Sequence, residues 1–212
     1  MPDRSSIEVV TEALGKSPER KFSETVEISV NLKDLDLTVP KNRLEDEIPL
    51  PNGRGKTVKV AVFGSPELCQ KIKNVADVVV PSNEIDDLAK DKKAAKKMVA
   101  QVDFFLAEAP LMPTIGKRLG VVLGPRGKMP RPVPPGSDPT NLVNALKRSI
   151  RVRSKGNRTF HAAVGTRAMK PEQIAQNVDA VLGRIVGKLE RGRTNIESVF
   201  VKTTMGPAVR LW

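Results

Sequence analysis

The chain has 212 residues, with 36 Lys and Arg against 24 Asp and Glu and a formal net charge of +12. Hydrophobic residues make up 39% and charged residues 28%, enough apolar material for one large core or two modest ones, which excludes wholesale disorder. One Cys (Cys69) and one His (His161) exclude a disulfide framework, a Cys-rich zinc site and paired-His metal ligation, so neither metal nor cofactor is expected. No run approaches the ~18 apolar residues that span a bilayer. The opening MPDRSSIEVV lacks a signal peptide's basic start and apolar stretch, and a soluble cytoplasmic protein without membrane contact is expected.

Ser5-x-x-Glu8 has the capping-box pattern, and Ile7, Val10 and Leu14 follow at helical spacing until Gly15 and Pro18. Val26, Ile28, Val30 and Leu32 then alternate with polar residues, the signature of a half-buried antiparallel strand. A second strand is expected around Glu47 to Leu50. From Val58 the style changes to apolar strands at 58–63, 78–80 and 102–107. Between them come a helix opened by Ser65-Pro66 and another over Asn83 to Gln101, which together read as a small parallel, doubly wound unit. Residues 110–139 carry eight of the 17 prolines and read as a long loop. A helix over 141–149, strands at 150–152, 160–164 and 196–201, and a long amphipathic helix over 172–190 complete the chain.

The flanks share one style and the centre another. The fold class expected is an α+β outer domain built from both chain ends, with an inserted α/β Rossmann-like three-layer domain. The boundaries expected are 1–65 with 157–212 for the outer domain and 66–156 for the insert.

Positive charge is concentrated: residues 117–158 hold 11 Lys and Arg, with Asp138 the only acidic residue. A run so nearly one-signed points to a polyanionic partner. Gly53-Arg-Gly-Lys-Thr57 fails as a phosphate-binding P-loop, because Leu50 stands where its first Gly belongs and a strand follows. The loop Leu123-Gly-Pro-Arg-Gly-Lys-Met-Pro130 presents Arg126 and Lys128 and reads either as a rigid packing loop or as an anion contact. Lys202-Thr-Thr-Met-Gly-Pro-Ala208 offers small polar groups and open backbone. It suits close approach to RNA sugar hydroxyls or, equally, a structural turn.

Six segments, taken in order, resemble the archaeal type of the L-one family of large-subunit ribosomal proteins. They are Lys21-Phe-Ser-Glu-Thr-Val-Glu27, Leu50-Pro-Asn-Gly-Arg-Gly-Lys56, Asp103-Phe-Phe-Leu-Ala107, Pro110-Leu-Met-Pro113, Leu123 to Val133, and Thr204-Met-Gly-Pro-Ala-Val209. The resemblance implies a non-enzymatic ribosomal protein at the mobile side stalk, monomeric off the ribosome. It would bind large-subunit ribosomal RNA, help deacylated tRNA leave the exit site and repress its own messenger RNA. The family's RNA-binding residues carry over to Lys21, Phe22, Thr25, Glu27, Ser198, Thr204, Met205 and Gly206, with Arg126, Lys128 and Arg131 as secondary contacts. His161, in another matching stretch, is read as a satisfied structural histidine. Composition alone would favour the insert, since residues 66–156 hold 17 basic and 9 acidic side chains. The motif is preferred because charge reports attraction whereas hydroxyl contacts report selection. The rival readings are a non-ribosomal RNA-binding module and a nucleotide-dependent enzyme, the latter resting on the α/β insert alone.

Overall fold

The computed structural model describes residues 4–212; the first three residues, with which the expected outer domain begins, lie outside them. The fold is mixed α/β and divides into two compact units, one running to Lys56 and resuming over Arg148–Trp212, the other Thr57–Lys147. In the first unit, α1 (Ser6–Gly15) is opened by Ser5, whose hydroxyl accepts from the Glu8 amide. Its buried face is Val9, Val10 and Ala13, whereas Ile7 is 41% exposed, so the apolar stripe lies rotated from the expected one. The alternating strand is β1 (Thr25–Leu32), and β2 (Glu45–Pro49) follows.

The second unit starts with β3 (Val60–Gly64), then α2 (Pro66–Ile72), capped by Ser65 as expected, and β4 (Val78–Pro81). The single helix expected over Asn83 to Gln101 is broken into α3 (Ile85–Lys90) and α4 (Lys92–Gln101). At the break the Asp91 carboxylate accepts from the amides of Lys93 and Ala94 and starts a new helix. After β5 (Phe104–Glu108) the expected long loop holds α5 (Met112–Leu123) and β6 (Arg131–Val133), and α6 (Thr140–Lys147) follows it. Pro113 is tolerated in the first turn of α5, and Ile115, Leu119 and Leu123 supply its buried stripe. The sheet is parallel with order β4-β3-β5-β6. One face buries Ala61, Phe63 and Phe105, with the two rings stacked at 5.9 Å; the other buries Val60, Val62 and Leu106. Helices cover both faces, which is why these strands read as continuous apolar runs.

The chain returns to the first unit with β7 (Ser149–Arg153), β8 (Thr159–Thr166), α7 (Pro171–Lys188), β9 (Ile196–Thr203) and β10 (Val209–Arg210). The main sheet is antiparallel with order β10-β9-β1-β8, and β2 pairs with β7 in a small second sheet. Two pairings place the boundaries away from the expected positions. β7 belongs with β2 in the first unit, and β3 belongs with its parallel partners in the second. The first unit's core joins β1, β9, α1, α7 and the β2–β7 pair through Val26, Ile28, Val178, Val199 and Ile150 among others.

Candidate nucleic-acid interface

Glu24 stands just before β1 with no exposed surface. Its Oε2 accepts from Ser17 Oγ at 2.9 Å and Arg167 Nη1 at 3.2 Å, and its Oε1 from the Met205 amide at 3.1 Å and Thr203 Oγ1 at 3.4 Å. Burial pushes the carboxyl up, but the bonds from Ser17, the Met205 amide and Arg167, with the charge of Arg20, outweigh it. They hold the group below its ordinary 4.5. The result is a charged, fully partnered hub beneath the surface that fixes the turn after β9.

Beside the hub, the Thr204 amide donates to Thr25 O at 2.9 Å, and Thr204 Oγ1 accepts from the Thr25 amide at 3.2 Å. Gly206 lies so close to the hub that a Cβ there would run into Thr203 Oγ1 and stand 3.0 Å from Ser17 Oγ. Two segments from opposite ends of the chain thus form one ledge. On it Phe22 is 52% and Met205 60% exposed, and Lys21 is exposed as well. Seven of the eight expected primary residues gather here: Lys21, Phe22, Thr25, Glu27, Thr204, Met205 and Gly206. Thr204 differs from the expectation in one respect, because its hydroxyl is already engaged with backbone.

Ser198 is further along the sheet. It is 8% exposed, faces Asn31 across the β1–β9 ladder and accepts from Asn31 Nδ2 at 2.7 Å. Asn31 Oδ1 in turn accepts from Thr159 Oγ1 at 2.7 Å, so three strands share one row of polar groups. His161, read as a satisfied structural residue, is instead exposed, opposite Ser29 on the same side of the sheet. β8 is an edge strand of the main sheet, and alternation along it turns His161 away from the core that holds Phe160 and Ala162.

A third segment reaches the ledge. Lys56 Nζ donates to Thr25 Oγ1 at 2.7 Å. The turn that delivers it is pinned by Asn177 of α7, which is fully buried, donates to Gly53 O and Val164 O at 2.8 Å each and accepts from the Asn52 amide. Val164 is the residue skipped where the β1–β8 register slips, so Asn177 satisfies the carbonyl that the bulge leaves unpaired. Gly55 takes φ +72°, and a Cβ there would strike Thr166 and Met169. Sequence reasoning missed Glu24, Lys56 and Asn177. The first two lie inside matched segments, and Asn177 is a polar residue on the apolar stripe of α7.

In the second unit, Lys128 Nζ donates to Val99 O at 2.9 Å and to Val102 O, and Arg126 Nη1 donates to Lys96 O at 2.8 Å. Lys128 therefore caps the C-terminus of α4, which favours the rigid-loop reading of its segment. Arg126 and Arg131 are exposed. At the carboxyl end of β5, Glu108 accepts from the amide and hydroxyl of Ser65 at 3.0 Å each, while Ser65 Oγ accepts from the Leu68 amide. A carboxylate stands where a doubly wound sheet would receive an anionic nucleotide.

A shallow ledge of hydroxyls, open backbone, one ring and one thioether, held rigid by a buried ion network, is the surface of a binding protein rather than a reaction centre. The chain matches the ribosomal protein L1p/L10e family over residues 14–207. It is 58% identical over 202 residues to a protein of Thermoplasma acidophilum named large ribosomal subunit protein uL1, covering 95% of this chain and 93% of that one. To the proteins of the same name from Thermoplasma volcanium and Methanocella arvoryzae it is 56% and 51% identical, covering 99% and 100% of this chain and 97% and 100% of theirs. The chain belongs to this ribosomal protein family, which is structural and not enzymatic. As a ribosomal protein it is cytoplasmic, and among the described residues no helix is long and apolar enough to cross a membrane.

Proposed function

We propose that this structural constituent of the large ribosomal subunit binds large-subunit ribosomal RNA through the ledge formed by Lys21–Glu27 and Thr204–Gly206. Residues up to Lys56 and from Arg148 act as the outer RNA-binding domain, and Thr57–Lys147 as the inserted domain. The observation that carries the reading is the joining of these two distant segments. The Glu24 hub and the Thr25–Thr204 backbone pair hold them side by side, with Phe22 and Met205 both exposed. Phe22 supplies a stacking face, Met205 an adaptable apolar contact, Thr25 and Thr204 oxygens for 2′-hydroxyls, and Gly206 close approach. Glu27 faces Lys202, its cross-strand partner, and offers an acceptor to RNA hydroxyls, and Ser198 extends the hydroxyl row along the sheet. Lys21 and Lys56 supply phosphate contacts, and Arg126 and Arg131 supply secondary ones.

The same ledge, with the basic insert, serves three finer roles that rest on the family resemblance. These are placement at the mobile side stalk, assistance to deacylated tRNA leaving the exit site, and repression of the chain's own messenger RNA through a similar RNA fold. Off the ribosome the protein is a monomer. Crosslinking on purified large subunits followed by sequencing of the bound RNA tests the reading. The expected result is one contiguous ribosomal RNA region joined to peptides containing Phe22 or Met205. Crosslinks confined to peptides from 117–147 would place the primary site in the insert.

A further inference from the structure

The chain has six phenylalanines and one tryptophan and no tyrosine, so where each ring goes is informative. Phe63, Phe104, Phe105 and Phe160 belong to the cores. Phe22 and Phe200 do not. Phe22 is on the ledge, and Phe200 is half-buried in the middle of β9, between core residues Val199 and Val201 and therefore on the opposite side of the sheet. Burial of apolar surface does not explain a ring there, because the same side of β1 carries Glu27, Ser29 and Asn31.

The register specifies the neighbourhood of Phe200. Ser29 of β1 is its direct partner on one side and Arg210 of β10 on the other, and Ser29 is in turn the direct partner of His161 on β8. One row across four strands therefore reads His161, Ser29, Phe200, Arg210. Strands are spaced ~4.8 Å apart, so the two ring-bearing residues flank Ser29 about two strand spacings from each other. A small side chain between two flat ones leaves a gap between them of two strand spacings, ~10 Å, a trough wide enough to admit a planar base. On the ledge side the next row is Ala163, Glu27, Lys202, and beyond Ser29 lies the hydroxyl row Thr159, Asn31, Ser198. Positive charge lies on the β9–β10 side, at Lys202 and Arg210, where a phosphate backbone would run.

We infer that this row is a stacking site for an unpaired RNA base, with Phe200 as its platform and His161 as its second wall. It rests on the proposed RNA-binding reading and extends that surface from the ledge to the centre of the sheet. The chemistry selects single-stranded RNA, since a base held in a duplex cannot turn its face onto Phe200, whereas a looped or bulged base can. The hydroxyls of Ser29 and Thr159 lie beside the trough for contacts to the base edge and the 2′-hydroxyl.

The test uses the full chain and a labelled transcript of large-subunit ribosomal RNA. It compares wild type with Phe200→Leu, Phe200→Tyr, His161→Ala and, as a separate probe of the ledge, Met205→Asp. Base–aromatic stacking makes Phe200→Leu roughly 10-fold weaker and leaves Phe200→Tyr within about twofold of wild type. His161→Ala loses less than Phe200→Leu. Ultraviolet crosslinking read by mass spectrometry places a nucleotide on the β9 peptide of the wild type, which keeps the proposal testable should a variant misfold. Phe200→Leu binding like wild type while Met205→Asp fails, or no adduct on β9, overturns this inference and leaves the ledge reading standing. No preference of the wild type for the ribosomal transcript over an unrelated RNA overturns both.

Discussion

The carboxylate of Glu24 and the backbone amide of Met205 are joined by a 3.1 Å hydrogen bond across 181 positions of sequence. Through it the most exposed apolar residue of the ledge is tied to a hub that also holds Ser17, Thr203 and Arg167. Glu24→Ala removes the acceptor and leaves buried donors unpaired beside Arg167. Breaking a buried pair in this way costs about 3–5 kcal/mol, read as a fall in the urea midpoint. Glu24→Gln isolates the charge. Because the folded-state carboxyl titrates below 4.5, its stabilisation is complete above that pH and is lost as the pH falls through the lower folded-state value. Wild-type stability should therefore decline more steeply below pH 4.5 than that of Glu24→Gln. Parallel curves would assign the acid sensitivity to other carboxylates.

Gly206→Ala tests how tightly the ledge is packed onto the hub. The added methyl would meet Thr203 Oγ1 and Ser17, both buried and both bonded to Glu24, so neither can yield without breaking that network. Overpacking of this kind costs about 1–3 kcal/mol, and RNA affinity should fall with it because the Thr204–Gly206 backbone must shift. Gly15→Ala is the control, with nothing within 4 Å of its new methyl. Equal behaviour of the two variants in thermal melts and filter binding would show that the turn has room.

Lys128→Met separates charge from recognition. The ammonium caps Val99 O and Val102 O at the end of α4, and losing such charge-assisted bonds costs about 1.5–3 kcal/mol. The variant should melt earlier yet bind ribosomal RNA as wild type does. Unchanged stability with weakened binding would restore Lys128 to the RNA surface.

Periodicity made most elements legible: Val26 to Leu32, the capped start at Ser65-Pro66 and the long amphipathic helix all occur where the pattern puts them. It failed where two signals competed. Pro110, Pro113, Gly116 and Gly120 outweighed the Ile115–Leu119–Leu123 spacing and hid α5, and Asp91 broke an otherwise continuous helical pattern. The domain boundary was misplaced because the partner of β7 is β2, 104 residues earlier at the Glu47–Arg151 ion pair, and no local pattern reports a distant pairing. For the candidate site, the resemblance supplied the ledge residues but not what fixes them. Glu24 looks like one more surface carboxylate in a polar segment until three remote donors close over it.

The chain crosses between the two units twice, at Lys56–Thr57 and Lys147–Arg148. Leu50 directly follows β2: its amide donates to Arg148 O at 2.9 Å, and Pro49 faces Ser149 at the end of the β2–β7 ladder. Arg148 is therefore anchored beside a residue only a short turn ahead of Lys56, and that turn is itself pinned by Asn177. Replacing Thr57–Lys147 with a Gly-rich linker of about eight residues should close the gap without strain, since closure cost grows only logarithmically with loop length. The core of the first unit is drawn entirely from the flanking segments, through Val9, Val26, Val178, Val199 and Leu211 among others, so its burial survives the excision. The ledge, the Glu24 hub, Lys56 and the Phe200 row all stay on the retained chain. The shortened protein should unfold cooperatively and still prefer ribosomal RNA over an unrelated RNA, with lower affinity because a basic segment has gone. Cooperative folding with equal, weak binding to both RNAs would move selection into the insert. Failure to fold, with the same linker length varied from about four to twelve residues, would show that the first unit depends on the second for its stability.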